Sequence, residues 1–196
     1  MEKVRSFIAI ELPEDLKTEL GRLQAKLKID RPRIKWVSPD GIHLTLKFLG
    51  DVDTSQVAGI IQAMTEAVRG INPFDLNIGP LGMFPNPQRV QVVWIGLDGE
   101  LDTLGSLYHN LEVRMAMVGF PQEKREFKPH LTLARIGDEV LPDDRKHFGN
   151  FVASSKADIV YTLKAKGLSL MKSQLTPRGA IYTRLSYVEF SQKAKL

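Results

Sequence analysis

The sequence predicts a mixed fold of strands and helices in two similar lobes, each ordered β-α-β-α-β, with an extra strand at the C-terminus. Three observations predict it. HLTLKFLGD (His43 to Asp51) and HLTLARIGD (His130 to Asp138) agree at six of nine positions with an offset of 87 residues, a spacing that points to a duplicated unit. The same offset lays Phe7-Ile8-Ala9-Ile10-Glu11 on Trp94-Ile95-Gly96-Leu97-Asp98, two apolar runs that each close on a carboxylate. Strand-like and helix-like periodicities then follow in the same order through both copies.

The first copy opens on a strand over Val4 to Ile10. Pro13-Glu14-Asp15 starts a helix, with proline in the first turn and acids at the positive end of the dipole, and Leu16, Leu20, Leu23 and Leu27 give its apolar stripe. After Trp36-Val37 and a turn at Ser38-Pro39-Asp40-Gly41, His43 to Leu49 is a strand. Asp53 and Gln56 form a capping-box-like start to a helix carrying Val57, Ile60, Ile61, Met64 and Val68, which Gly70 closes. A strand near Phe74 to Ile78 ends the copy.

The second copy repeats the order. Val90 to Leu97 is a strand, Leu101, Leu104, Tyr108, Leu111 and Met115 line a helix that stops at Gly119, and the second histidine motif follows as a strand. A short helix around Pro142 to Phe148 and strands near Ile159 to Met171 and Ala180 to Phe190 complete the chain. The Pro/Gly-rich stretch Gly79 to Pro87 is expected as the crossing between lobes, within one two-lobed domain whose pseudo-repeats are about 1–80 and 88–190.

Composition bounds the function. With 196 residues, 43% hydrophobic and 26% charged, the chain can bury a real core and is not a disordered or low-complexity polymer. There is no cysteine, which excludes disulfide frameworks, zinc-thiolate sites and thiol nucleophiles, and favours a reducing compartment. No apolar run approaches the length of a membrane span, and Glu11 interrupts the first apolar stretch too early for a secretory signal. A cytoplasmic protein with no membrane association is expected.

The formal net charge is +4 with a sequence pI near 9.3, which permits a polyanionic partner without demanding one. Basic residues concentrate in Arg22, Lys26, Lys28, Arg31, Arg33 and Lys35, and in the C-terminal stretch from Lys156 to Lys195 that includes Lys164 and Lys166. Either segment could follow a phosphate backbone. The competing reading is a solvated helix face and a solvated edge strand.

In a strand, residues two apart project from one face about 7 Å apart. His43 and Thr45 therefore share a face while Leu44 and Leu46 fill the other, and His130 and Thr132 repeat the arrangement in front of Leu131 and Leu133. A lone His-x-Thr is an ordinary strand triplet; two copies in an equivalent frame are a different matter. If the copies pack about a pseudo-twofold axis, the two outward faces meet across a cleft. Two histidines without Asp, Glu or Cys in the motif fall short of the three protein ligands of a catalytic zinc, so the pair is read as acid and base, with no metal and no cofactor.

That set suits transfer at a phosphodiester. Imidazole titrates near neutrality, so a neutral ring can take a proton from water while an imidazolium gives one to the departing alkoxide. The Thr45 and Thr132 hydroxyls can donate to non-bridging oxygens as charge builds. The symmetry leaves the two proton roles interchangeable. His109, in the third helix, and His147, in the short helix, are assigned to structure or solvent.

At this point the sequence resembles the RNA 2',3'-cyclic phosphodiesterases, or 2'-5' RNA ligase family, of the two-histidine phosphoesterase superfamily. The resemblance rests on Lys35-Trp36-Val37 with His43-Leu44-Thr45-Leu46-Lys47-Phe48-Leu49-Gly50, on Gly82-Met83-Phe84-Pro85 with Val93-Trp94-Ile95-Gly96, and on Phe127-Lys128-Pro129-His130-Leu131-Thr132-Leu133-Ala134-Arg135. It implies a bilobal α+β fold with antiparallel sheets around a central cleft. It also implies hydrolysis of an RNA or nucleoside 2',3'-cyclic phosphate to the 2'-phosphate, with His43 as proton donor and His130 as acceptor. Its partners are cyclic-phosphate RNA ends or cyclic nucleotides, with no obligate protein partner.

The resemblance further implies that Arg135 contacts the phosphate, and a guanidinium suits that task. Strict alternation, however, puts Arg135 on the face opposite His130. Phe48, Phe127 and Trp36 are candidate stacking surfaces for a nucleobase, with buried packing as the competing role for each. Two other functions share these residues: a 2'-5' ligase or phosphodiesterase acting on oligonucleotides, and a non-catalytic RNA-binding module using the basic segments.

Overall fold

The computed structural model describes residues 2–28, 34–176 and 179–190. Among the described residues, nine strands and four α-helices follow in the order β1 (Lys3–Glu11), α1 (Glu14–Leu27), β2 (Ile34–Trp36), β3 (His43–Asp53), α2 (Val57–Ala67), β4 (Phe74–Phe84), β5 (Val92–Gly99), α3 (Leu101–Met117), β6 (His130–Ile136), α4 (Pro142–Ser154), β7 (Thr162–Ala165), β8 (Gly167–Thr176) and β9 (Gly179–Glu189). The expected helix starts and stops are present. Glu14 and Asp15 occupy the first turn of α1, Gln56 accepts from the Asp53 amide at 3.3 Å just ahead of α2, and Gly70 and Gly119 follow α2 and α3 with φ of 77° and 95°, a conformation that costs other residues more. The helix begun at Pro142 runs to Ser154, beyond the Phe148 end expected. No helix among the described residues is long and apolar enough to cross a membrane.

All strand pairs are antiparallel, in the order β7-β4-β5-β6-β3-β1-β8-β9, with β2 added to β6. The two histidine strands, β3 and β6, meet at the centre through a single register pair, Leu44↔Leu131. These leucines are equivalents at the 87-residue offset, so the seam is the pseudo-twofold axis. On either side the order mirrors itself: histidine strand, the strand that opens the copy, then two more.

The strands that complete each half are exchanged between the copies. β4, expected to close the first copy, pairs with β5 and β7 in the second half, while β8 returns to pair with β1 and carries β9 on its outer edge. Consecutive strands joined by a short connection tend to pair, and β4 and β5 do so. Gly79 to Phe84, expected as part of the crossing between lobes, is therefore strand. β7 covers only Phe74 to Asn77 of β4, and Pro80 lies beyond that stretch, where the register shifts and a missing N–H is tolerated.

The sequence match between β1 and β5 also needs correction. Opposite His43 stands Glu11, but opposite His130 stands Gly96. The pairing thus relates β1 to β5 two residues away from the 87-residue alignment. A slip of two keeps every side chain on its own face, so the apolar pattern could not detect it.

The helices cover one face of the sheet. Leu16, Leu20 and Leu23 of α1, Ile60 and Met64 of α2, Leu104, Leu107, Leu111 and Met115 of α3, and Phe148 and Val152 of α4 form one cluster with Ile8, Ile10, Leu44, Leu46, Val93, Ile95, Leu131 and Leu133. A small separate cluster, Phe7, Ala9 and Met171 with Tyr182 against it, belongs to the opposite, helix-free face, beside the first histidine.

Candidate active site

Two β-bulges shape the helix-free face. In β6, Thr132 pairs with Trp94 and Ala134 with Val93, so Leu133 is an extra residue. In β3, Thr45 pairs with Ala9 and Lys47 with Ile8, so Leu46 is extra at the equivalent place. Each bulge breaks the alternation. Leu46 and Lys47 are buried in succession, as are Leu133 and Ala134, and the next residues, Phe48 and Arg135, turn out to solvent. Arg135 therefore lies on the same face as His130 and Thr132, against the strict alternation expected from sequence, and its charge acts on both His43 and His130.

Each imidazole is held the same way. His43 Nδ1 lies 2.7 Å from the Gly41 carbonyl oxygen, and His130 Nδ1 lies 2.6 Å from that of Lys128. A carbonyl only accepts, so Nδ1 carries the proton in both rings and Nε2 is left for exchange with a ligand. Aromatic rings wall each one. Phe7 stacks on His43 at 4.6 Å and Tyr182 meets its edge at 5.1 Å; Phe84 and Trp94 stand 5.2 and 6.0 Å from His130. Trp94 lies flat over Gly82, where a Cβ would fall 2.1 Å from the indole, so only glycine admits that wall.

The walls exclude water and thereby favour the neutral rings. Burial lowers the His43 pKa to about 4; the Gly41 carbonyl and the Glu11 charge oppose it without overcoming it, and Arg135 adds to the depression. Burial likewise lowers His130, with Arg135 acting the same way and the Lys128 carbonyl against it. Both shifts favour the neutral imidazole in the free protein.

The other expected residues divide. Thr45 and Thr132 are half-buried on the histidine face. Phe48 is 70% exposed, with Phe7 6.2 Å away. Phe127 gives one ring face to Tyr108 of α3, stacked at 4.0 Å, and Trp36 packs edge-on to Phe148 with the Lys28 ammonium 5.8 Å from its centroid. His109 and His147 are exposed on helices away from this face. Of the basic segment, Arg31 and Arg33 lie outside the described residues. Lys35 pairs across β2–β6 with Arg135 and so shares its face. Lys164 reaches Asp75 at 4.0 Å along the edge strand β7.

Two groups escaped the sequence reading. Lys47 belongs to the histidine motif, and alternation would aim it at the ligand. The bulge turns it into the core instead, where its Nζ donates to both Glu112 oxygens at 2.8 Å and to the Pro121 carbonyl at 2.9 Å. Glu112 also accepts from the Glu123 amide at 2.7 Å, so this buried pair ties β3 to α3 and to the segment that leads into His130. The second group is Glu11 with Ser169 and Arg184. The Arg184 guanidinium holds the Glu11 carboxylate at 2.6 and 2.9 Å, and the Ser169 hydroxyl donates to it as well. The carboxylate that ends the first apolar run was the only sign of it in the sequence.

A pseudo-symmetric antiparallel sheet, helices behind and paired histidines in front, defines an α+β protein of the two-lobed phosphoesterase class. Comparison with known proteins narrows the class. The chain belongs to the LigT-like phosphoesterase family, whose sequence profile, described as "LigT like Phosphoesterase", matches it twice, over 10–94 and over 95–182. It is 35% identical to an RNA 2',3'-cyclic phosphodiesterase of Methanothermobacter thermautotrophicus, covering 92% of this chain and 96% of the relative. It is 32% identical to one of Methanocaldococcus jannaschii, covering 91% and 96%. Among solved structures, E. coli LigT complexed with 3'-AMP superposes with a TM-score of 0.77 at 26% identity, over 97% of this chain and all of that one.

Proposed function

We propose that this protein hydrolyses the 2',3'-cyclic phosphate of RNA ends or nucleosides to a 2'-phosphomonoester without a metal ion, His43 acting as proton donor and His130 as acceptor. The observation that carries the reading is the matched anchoring of the two imidazoles: each commits Nδ1–H to a backbone carbonyl two residues upstream and keeps Nε2 for the ligand. The names of the relatives and the nucleotide bound by E. coli LigT support the substrate class.

In this mechanism the His130 Nε2 removes a proton from water as its oxygen bonds to phosphorus. The P–O3' bond breaks, and His43, protonated in the substrate complex, gives its proton to O3'. Thr45 and Thr132 donate to the non-bridging oxygens and Arg135 offsets the growing charge, while Phe48 offers an exposed ring for the base. His43 ends neutral and His130 protonated, and exchange with solvent resets the pair.

The test is incubation with a nucleoside 2',3'-cyclic phosphate in EDTA, followed by identification of the phosphate position. A 2'-monophosphate is expected. His43→Ala and His130→Ala should each lower kcat by about 10² to 10⁴, the double variant losing much less than the product of the two, while His109→Ala and His147→Ala stay near wild type. Loss of activity in EDTA with rescue by zinc or manganese would overturn the metal-free mechanism, and products of altered chain length would point to 2'-5' chemistry.

A further inference from the structure

We infer that Glu11, clamped by Ser169 and Arg184, is the positioning residue that offsets the deeper burial of His43 and lets that ring carry a proton in the reactive state. The inference deepens the function proposed above and rests on it. The two rings share a carbonyl anchor, aromatic walls, a threonine two residues on and a bulge beyond it. They differ in burial, which is deeper for His43, and in the residue directly across the strand pair, Glu11 for His43 and Gly96 for His130. Directly opposite residues share a face of the sheet. One imidazole therefore has a carboxylate beside it and its counterpart has a hydrogen atom.

Three strands converge on that carboxylate. β1 carries it, β8 supplies the 1%-exposed Ser169 hydroxyl, and β9 supplies the Arg184 fork. Burial alone would raise the Glu11 carboxyl, but the hydrogen bonds from Arg184 and Ser169, with the charges of Arg184 and Lys17, together hold it below its ordinary value. It is ionised across the working pH range and fixed in place. A pair that merely tied β1 to β9 would not need to stand opposite the catalytic ring.

The groups that face His43 can be named from each element packed on it. Phe7 and Glu11 come from β1, the Gly41 carbonyl from the turn before β3, Tyr182 from β9, and Arg135 from β6. Of the charges, Glu11 favours the imidazolium and Arg135 opposes it; Arg184 and Lys17 act on Glu11. At His130 the acting charge is Arg135, with no carboxylate against it. The reactive state needs a proton on one ring and none on the other, and Glu11 raises the share of molecules that carry it on His43.

The experiment combines NMR titration of the imidazole C–H resonances with kcat/KM on a cyclic mononucleotide, for wild type, Glu11→Gln and Glu11→Asp. For a unit charge roughly 7 Å away, effective dielectric constants from 80 down to 20 give a shift of about 0.4 to 1.7 pH units. Glu11→Gln should lower the His43 midpoint by that amount, leave the His130 midpoint in place, and reduce kcat/KM between the two midpoints by the matching factor, about 2.5 to 50. Glu11→Asp should keep most of the wild-type behaviour.

A second variant carries the test if Glu11→Gln fails to fold. A Cβ at Gly96 would lie 3.4 Å from the Trp94 ring and 3.5 Å from the Pro80 oxygen, which is ordinary contact. Gly96→Asp should raise the His130 midpoint and lower kcat/KM relative to Gly96→Ala. An unmoved His43 midpoint in Glu11→Gln, or equal shifts at both histidines, would overturn the inference. So would a shifted midpoint with kcat/KM unchanged or higher, since that result makes His43 the base. If His43→Ala and His130→Ala stay active, the parent reading fails whatever the titrations show. If both are inactive and Glu11→Gln moves nothing, only this inference fails.

Discussion

Breaking the Lys47–Glu112 pair should destabilise the protein more than removing both partners. Both side chains are nearly inaccessible, 5% and 6% exposed, and each relies on the other. Lys47→Met leaves a buried carboxylate with only the Glu123 amide, and Glu112→Met leaves a buried ammonium with only the Pro121 carbonyl. An uncompensated buried charge costs about 3 to 5 kcal/mol. At about 2 to 4 °C per kcal/mol for a chain of this size, each single variant should melt roughly 6 to 20 °C below wild type. Replacing both with Met removes the charges together. What remains unpaired is the Pro121 carbonyl and the Glu123 amide, in residues exposed enough for water to reach, so the double variant should lose only about 1 to 2 kcal/mol. Urea denaturation of the four proteins closes a double-mutant cycle with a coupling energy of at least about 4 kcal/mol. Additive losses, within about 0.5 kcal/mol, would refute the reasoning and reduce the pair to two independent packing contributions.

Three further outcomes follow from the site. The folded-state pKa of His43 lies below its unfolded value, so the unfolded chain binds the extra proton and stability falls as pH drops from 6.5 towards 4; between pH 7.5 and 4.5 the wild type should lose up to about 2.6 kcal/mol more than His43→Gln, and equal slopes in urea titrations would contradict the burial argument. Thr45→Ala or Thr132→Ala should lower kcat by about tenfold or more while Thr→Ser keeps most activity, and equal damage from Ser and Ala would make the threonine methyls, packing the strand, the groups that matter. Lys35→Ala should raise KM for oligonucleotides and flatten its salt dependence by roughly 0.7 per lost phosphate contact; because Lys35 stands beside Arg135, a smaller rise for mononucleotides is also expected, and no effect on either substrate would leave Lys35 as a solvated strand residue.

The sequence by itself determined what depends on local pattern. The duplication was legible because two nine-residue segments share six positions at one offset, and the helices because their leucine stripes and terminal glycines are local signals. His43, Thr45, His130 and Thr132 share a face because alternation holds over three residues of a strand. Tertiary structure decided everything that depends on which strands pair and in what register. β4 left its own copy because pairing with β5 was nearer along the chain, and a two-residue slip, invisible to an alternating pattern, put Glu11 rather than an equivalent of Gly96 beside His43. The bulges at Leu46 and Leu133 are backbone events produced by the fit of one strand to its neighbour. No residue type announces them, yet they bring Arg135 to the histidines and send Lys47 into the core. Proton affinity was the last to be fixed, because it belongs to the burial and charges around an imidazole, and those exist only once Phe7, Tyr182, Phe84, Trp94 and Arg135 have been brought together from five different strands of one sheet.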